Sequence, residues 1–255
     1  MLGCLLIALA LGPLALAQSA NANGPTSPDA TQIVAQLMTK NQERSALLDH
    51  WEGCRHYSLD YTGFPSGKSA EMLVEVKFDA PEEKRFRIVS EDGSRLLLNR
   101  VLKELLVNEK EALGEENRVK TALTPENYEF QLVGSDEISG RSQYVLDVTP
   151  RAKNKFLYRG KIWVDAADFA VTRISAEPAK NPSLWISHTA IEHRYSKIDN
   201  FWLPASNTSI TKVRFGGTAK LKIDYLNYRI GTSKAASATD VCSSAPRNVQ
   251  VAGAR

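Results

Sequence analysis

The stretch most like a reactive motif is Gly63-Phe64-Pro65-Ser66-Gly67-Lys68-Ser69, which resembles a phosphate-binding loop. Such a loop cradles phosphates with backbone amides and delivers them to a helix N-terminus. Here the glycines stand one residue too close, and Ala70-Glu71-Met72-Leu73-Val74 continues as a strand. A turn built on Gly63, Pro65 and Gly67 explains the stretch, and nucleotide binding is set aside. The four histidines, His50, His56, His188 and His193, fall in no metal-ligand spacing. His188 and Glu192 would share one strand face while His193 takes the other, so no metal is expected. Asp147, Asp165 and Asp168 could supply the paired carboxylates of a hydrolase, but each lies at a strand end or turn, where Asp ordinarily caps or meets water. There is no Gly-x-Ser-x-Gly elbow and no Cys-x-x-Cys pair. An enzyme would need a reactive cluster that the sequence does not display, and no cofactor is expected.

The aromatics carry a different signal, because they recur at strand positions. Tyr158, Trp163, Phe169, Trp185, Tyr195, Phe201, Trp202, Tyr225 and Tyr228 are read first as core, rim and cross-strand pairs, with ligand contact the minor reading for each. Asn207-Thr208-Ser209 is a glycosylation sequon, meaningful only in a eukaryotic secretory setting.

The elements that position these residues begin after residue 28. Leu2 to Leu16 is uncharged, interrupted by Gly3, Gly12 and Pro13, and ends in Ala15-Leu16-Ala17, the small-x-small pattern of a signal-peptidase site. Residues 1–17 therefore read as an export signal that carries Cys4 away with it, and a retained anchor is the alternative. Residues 18–28 are a small, polar linker. Export makes the compartment permissive for disulfides, and Cys54 and Cys242 remain to form one. A bridge would tie the Ser-, Ala- and Thr-rich tail, residues 231–255, back to the start of the fold and pack it on the first helix; two unpaired cysteines are the other reading. A 43% hydrophobic composition with 24% charged residues supports one real core. A mean hydropathy of −0.29 excludes a polytopic membrane protein. A net charge of +3 gives no reason to expect nucleic acid. Residues 71–140 are net acidic and residues 141–230 net basic, which favours two ends of opposite sign.

Ser27-Pro28-Asp29 reads as a helix start, with the Ser27 hydroxyl as cap, Pro28 in the first turn and the Asp29 carboxylate at the positive dipole end, and Ile33, Val34, Leu37, Met38, Leu47 and Leu48 follow at helical spacing. From Tyr57 the period falls to 2. Met72, Val74, Val76 and Phe78 alternate with Leu73, Glu75, Lys77 and Asp79, giving one apolar and one wet face, and Phe86 and Ile88 resume the pattern after a turn. Leu96, Leu97, Leu98, Val101, Leu102, Leu105, Leu106 and Val107 then cover well over a third of a second helix. Beyond Pro125 the chain reads as seven strands joined by short loops at Asp165 to Asp168, Asp199-Asn200 and Gly216-Gly217, an antiparallel meander.

Gly160-Lys161-Ile162-Trp163-Val164-Asp165, Phe169-Ala170-Val171-Thr172-Arg173-Ile174, and Tyr195-Ser196-Lys197-Ile198 with Phe201-Trp202-Leu203-Pro204 resemble the later strands of periplasmic outer-membrane lipoprotein-sorting proteins. This is the LolA/LolB-like group, to which the N-terminal domain of the RseB-type stress sensor is related. The resemblance covers residues 29–230 and implies a mainly β fold with α: a curved antiparallel half-barrel covered by an N-terminal helix and an internal helix. It also implies an apolar cavity for acyl chains. A curved sheet with one apolar face and only two helices has more concave surface than its helices fill. The expected function is a periplasmic, monomeric carrier of lipid or lipoprotein acyl chains, served by membrane-associated donor and acceptor proteins. An RseB-like envelope sensor that binds a protein partner is the alternative. The residues expected to line the cavity are Met72, Val74, Val76, Phe86 and Ile88, then Leu98, Leu102 and Leu105, then Phe130, Leu146 and Ile162.

Overall fold

The computed structural model describes residues 28–81, 83–181, 186–214, 216–231 and 241–243. The expected signal, the linker up to residue 27, Trp185 and most of the tail lie outside the described residues. The chain runs as α1 (Ala30–Leu47), β1 (His50–Thr62), β2 (Lys68–Asp79) and β3 (Glu83–Gly93). A helical insertion follows: α2 (Arg95–Leu97), a π-helical turn over Leu98–Leu102, α3 (Lys103–Leu113) and α4 (Glu115–Thr121). Then come β4 (Tyr128–Ile138), β5 (Arg141–Pro150), β6 (Tyr158–Asp165), β7 (Val171–Pro178), β8 (Ile186–Ile198), β9 (Phe201–Val213) and β10 (Thr218–Gly231).

All ten strands form one antiparallel sheet in the order β3-β2-β1-β10-β9-β8-β7-β6-β5-β4. The last strand closes on the first, so the edges are β3 and β4, which are neighbours in sequence. The insertion between them must pass from one edge of the sheet to the other. The result is the open, curved half-barrel that the sequence implies, with meandering connections at Asp199-Asn200 and Gly216-Gly217.

Each helix forms for local reasons and is then kept by the face it buries. Asp29 caps α1 by accepting from the Gln32 amide at 2.8 Å, while the Gln32 side chain accepts from the Asp29 amide at 3.0 Å. Asp29 is therefore the cap, and not the Ser27 hydroxyl expected from the sequence. Only Ile33, Val34 and Leu37 of α1 are buried, while Met38 and Leu47 remain exposed, because the helix touches the sheet along one narrow stripe. In the insertion, Leu98, Leu102 and Leu106 point at the sheet and Leu96 and Val107 at solvent.

The core is divided. One cluster joins the insertion to β1, β2 and β10 through Trp51, Tyr57, Leu59, Met72, Val74, Val76, Leu98, Leu102 and Ile223. The other joins α1 to β4–β7 through Ile33, Val34, Leu37, Tyr128, Leu146, Val148, Ile162, Val164 and Ile174. A third, small cluster lies on the outer face. Cys54 and Cys242 are joined by a disulfide, and Val241 and Cys242 rest on Cys54, Leu73, Val89 and Leu226. Val241 and Cys242, the part of the tail that the structure describes, thus pack against the back of the sheet and not, as expected from the sequence, against the first helix. Cys54 lies inside β1, and its side chain takes the face opposite that of Arg55 and Tyr57. The wet face of β2 is also drier than alternation suggests. Glu75, and Glu52 on the adjoining β1, are buried there and paired with Lys77, Arg87 and Arg229, whose charges compensate the carboxylates.

Candidate functional site

Opposed residues of antiparallel strands share a face, so the register defines lines of side chains across the concave surface. One such line crosses nine strands: Met72, Tyr57, Ile223, Asn207, His193, Ile174, Ile162, Leu146 and Leu132. Its two ends are the two main core clusters, roofed by the insertion and by α1. Its middle, on β8 and β9, lies between the two roofs.

That gap holds two neighbouring cavities. One, of about 370 Å³, has Leu48, Leu123, Tyr158, Ala170, Val171, Ile174, Tyr195, Phe201, Trp202 and Leu203 in its walls and Asn41, Arg44 and Ser45 of α1 at its rim. The other, of about 320 Å³, is lined by Lys155, Phe156, Leu157, Tyr158, Ile174, Ala176, Pro178, Ile191, His193 and Tyr195. Tyr158, Ile174 and Tyr195 are common to both, so the two form one cleft along the waist of the half-barrel. Gly160 stands beside Ala176 on the adjoining strand with φ +147°, and a Cβ there would come within 2.3 Å of the Ser175 carbonyl. Only glycine permits this close approach of β6 and β7.

The lining is chemically quiet. Burial pushes the Tyr195 hydroxyl up to about 12 and the Tyr158 hydroxyl well above its ordinary value, so both remain neutral. Burial lowers His193 to about 4, which leaves a neutral imidazole at neutral pH. Asn207 faces the concave side opposite His193, so the sequon it begins is not presented on the outer surface.

The aliphatic residues expected to line a cavity are placed elsewhere. Met72, Val74, Val76, Leu98 and Leu102 are buried under the insertion, with Phe86 and Leu105 packed at their margin. Leu146 and Ile162 are buried under α1, with Phe130 at the margin. Ile88 is exposed on β3. Apart from Ile88 they divide between the two roofed ends, and none lines the waist cavities. The residues that do line it include Tyr158, Tyr195, Phe201 and Trp202, aromatics that composition alone assigns to core and rim. The usable signal is that they recur on strands whose other inward positions are polar or small, such as His193, Asn207, Ser209 and Ala176.

Two charged clamps flank the cleft. On the α1 side, Arg141 donates to Asp165 at 2.6 and 2.7 Å and to Asp168 at 2.9 Å. Lys197 and the Trp202 indole donate to Asp168 at 2.8 and 3.0 Å. Arg44 donates to the carbonyls of Asp168 and Phe169 at 2.8 and 3.0 Å, tying α1 to the β6–β7 turn. Burial pushes the Asp165 carboxyl up, but the Arg141 bonds and the backbone amides of Asp168 and Ala167 outweigh it and leave the group below its ordinary range. Asp168 is lowered in the same way, against burial, by Lys197 and Trp202. These carboxylates hold turns together, and Asp147 stands apart on the outer face.

On the insertion side, the Arg55 guanidinium donates to both Glu109 oxygens, at 2.6 and 3.1 Å, and stacks over Tyr225 with its carbon 4.9 Å from the ring centre. Lys84 donates to the same carboxylate at 2.8 Å. Burial would raise Glu109, yet Arg55 and then Lys84 prevail and hold it down to about 2. Sequence reasoning missed this pair, because Arg55 and Glu109 lie far apart in the chain and each looks like an ordinary surface charge. Among the described residues no group of three or more His, Cys, Asp or Glu is placed to hold a metal ion.

A sequence family described only as a family of unknown function, DUF5686, matches residues 122–228, which take in β4 to most of β10. No curated protein matches the chain. Among solved structures, a putative outer membrane lipoprotein-sorting protein domain from Vibrio parahaemolyticus aligns at 12% identity with a TM-score of 0.41, over 77% of this chain and 92% of that one. A DUF1329 family protein from Desulfovibrio piger aligns at 15% identity and 0.39, over 82% and 97%. A LolA superfamily protein from Nitrosomonas europaea aligns at 12% and 0.34, over 80% and 94%. At such scores the likeness carries no weight of its own. The N-terminal helix, the open ten-stranded sheet and the helical insertion are observations of this chain alone.

Proposed function

We propose that the chain is a non-enzymatic carrier or binding protein that holds an acyl chain of a lipid or lipoprotein in the waist cleft, within the periplasm. The observation that carries this reading is the apolar cleft around Tyr158, Ile174 and Tyr195, between two roofs that leave it uncovered. Each of its parts falls in the range of about 300–1,000 Å³ usual for small-molecule sites. Burial of an acyl chain contributes about 0.8 kcal/mol per methylene, so a ligand can be held by packing alone. Apart from Lys155, paired with Glu111, and Arg44, bonded to two backbone carbonyls, the lining presents neutral side chains and no activated nucleophile, and the nearby carboxylates are held by Arg141 and Lys197. Among the described residues no helix is long and apolar enough to cross a membrane. Export through the leader over residues 1–17 and exchange with membrane-associated donor and acceptor proteins belong to the same proposal.

Native mass spectrometry and solvent extraction of the purified protein test it. The expected result is a co-purified lipid, or uptake of a fluorescent fatty-acyl probe by the emptied protein. A protein that is consistently empty and takes up no probe overturns the carrier reading; capture of a membrane-bound protein partner by that empty protein would favour the sensor alternative.

A further inference from the structure

The antiparallel strands turn at two opposite ends of the sheet. One end gathers the β1–β2 hairpin tip, the β9–β10 hairpin tip, the β5–β6 loop and the exit from β7. Phe64 stands on the first tip and is 84% exposed, more than any other large apolar residue among those described. Single apolar side chains at a surface are ordinary. This one is displayed by a tip that the chain takes care to build. The Tyr61 hydroxyl lies 3.2 Å from the Phe64 carbonyl and 3.1 Å from the Gly216 carbonyl, which fastens the two hairpin tips to each other. A Cβ at Gly63 or Gly217 would come within 2.6 or 2.5 Å of that hydroxyl oxygen, so both positions call for glycine.

The charge around Phe64 is one-sided. Residues 59–70 and 209–221, the two hairpin ends, hold Lys68, Lys212, Arg214 and Lys220 against a single carboxylate, Asp60, which stands opposite Lys220 in the register. All four cations are exposed, and none is paired with a carboxylate among the described residues. Lys153 and Lys180, exposed and likewise unpaired, continue the row along the same end. Elsewhere the sheet matches its cations: Lys77 meets Glu52 and Glu75, Arg141 meets Asp165, and Lys222 meets Asp224. Unmatched cations around an outward aromatic ring suit a surface that is negative outside and apolar just beneath, which is the chemistry of an anionic lipid bilayer. The second waist cavity has Lys155, Phe156 and Pro178 of this end in its wall.

We infer that this end of the half-barrel docks on an anionic lipid surface, with Lys68, Lys212, Arg214 and Lys220 on the headgroups and the Phe64 ring at the acyl boundary. The inference goes beyond the carrier reading, because the contact does not depend on what the cleft holds.

Sedimentation with lipid vesicles tests it. The protein is expected to bind vesicles of phosphatidylethanolamine with about one third phosphatidylglycerol, to ignore vesicles of phosphatidylcholine, and to lose most of its binding at about 0.5 M salt. Each Lys or Arg near such a surface strengthens binding about fivefold, so Lys212→Gln combined with Arg214→Gln should weaken it at least about tenfold. Phe64→Ala should also weaken it about tenfold. Leu47→Ala, at an exposed apolar residue of the opposite end, should leave it unchanged. No binding to the anionic vesicles at low salt overturns the inference and turns the search to an acidic protein partner. Undiminished binding by both the Phe64 and the Lys212/Arg214 variants overturns it too, by placing the contact elsewhere. Vesicle binding without uptake of an acyl probe keeps the docking surface and removes the carrier reading; uptake without vesicle binding does the reverse.

Discussion

The two roofs of the half-barrel are held down by different physics. Under α1 the contact is apolar: Ile33, Val34 and Leu37 meet Leu146, Val148, Ile162 and Ile174. The polar fastening at that end, from Arg44 to two backbone carbonyls, sits at the rim. Under the insertion, Leu98 and Leu102 are just as fully buried, but Arg55 brings a buried charge into the contact, and Glu109 and Lys84 must stay with it. Hydrophobic burial is nearly indifferent to pH, whereas a buried ion pair is stabilising only while both partners are ionised. The waist cleft therefore lies between one roof whose hold is unconditional and one whose hold depends on solution conditions.

The largest expected effect concerns the staple behind the second roof. The Cys54–Cys242 bridge closes a loop with a sequence separation of 188. Reducing it should lower stability by up to roughly 4–5 kcal/mol in the chain-entropy treatment. Urea unfolding with and without reductant measures this, and a shift below about 1 kcal/mol would show that the tail contributes little. Thiol titration of the denatured, non-reduced protein should find neither of these cysteines free.

Next come paired substitutions, one under each roof. Leu37→Ala should cost about 2–5 kcal/mol by leaving a cavity beneath α1. Glu109→Gln should cost about 3 kcal/mol near neutral pH, because Arg55 is left buried with no anion. Their pH profiles should part. Glu109 has a folded-state value of about 2 against an ordinary 4.5. A depressed carboxyl contributes stability that is present above its unfolded value and is lost as pH falls toward the folded one. The penalty of Glu109→Gln should therefore be full above about pH 5 and fade toward pH 2, while that of Leu37→Ala stays flat. Denaturant titrations across this window check it; parallel profiles would break the comparison. The smallest effect is expected from Arg44→Ala, about 1–2 kcal/mol for hydrogen bonds to carbonyls at a half-open rim.

Much of this architecture was legible in the sequence, because it rests on local pattern. The alternation of Met72, Val74 and Val76, the turns at Asp199-Asn200 and Gly216-Gly217, and the Leu98 to Leu106 stripe specify strands, hairpins and an amphipathic helix without long-range information. The site was less legible for the same reason. Patterning picks out the most apolar residues, and those are the ones that helices cover. A cleft forms where cover is lacking, and that follows from β10 closing onto β1 and from where two helices happen to end. Register likewise decides that Asn207 meets His193, and a sequence of separate strands does not state it. Arg55 and Glu109 are brought together by the insertion, a pairing that neither local environment signals.

The central claim is that the ligand occupies the waist and not either roofed end. It is tested most directly by placing an indole in the waist and, as a control, on the edge strand outside it, and measuring uptake of a fluorescent acyl probe. Ile191 lines the waist cleft, whereas Ile88 is exposed on the edge strand β3. Ile191→Trp should abolish or strongly weaken uptake while far-UV circular dichroism and unfolding stay unchanged, and Ile88→Trp should bind as the wild type does. Unimpaired uptake by Ile191→Trp, or its loss in Ile88→Trp alone, would contradict the account.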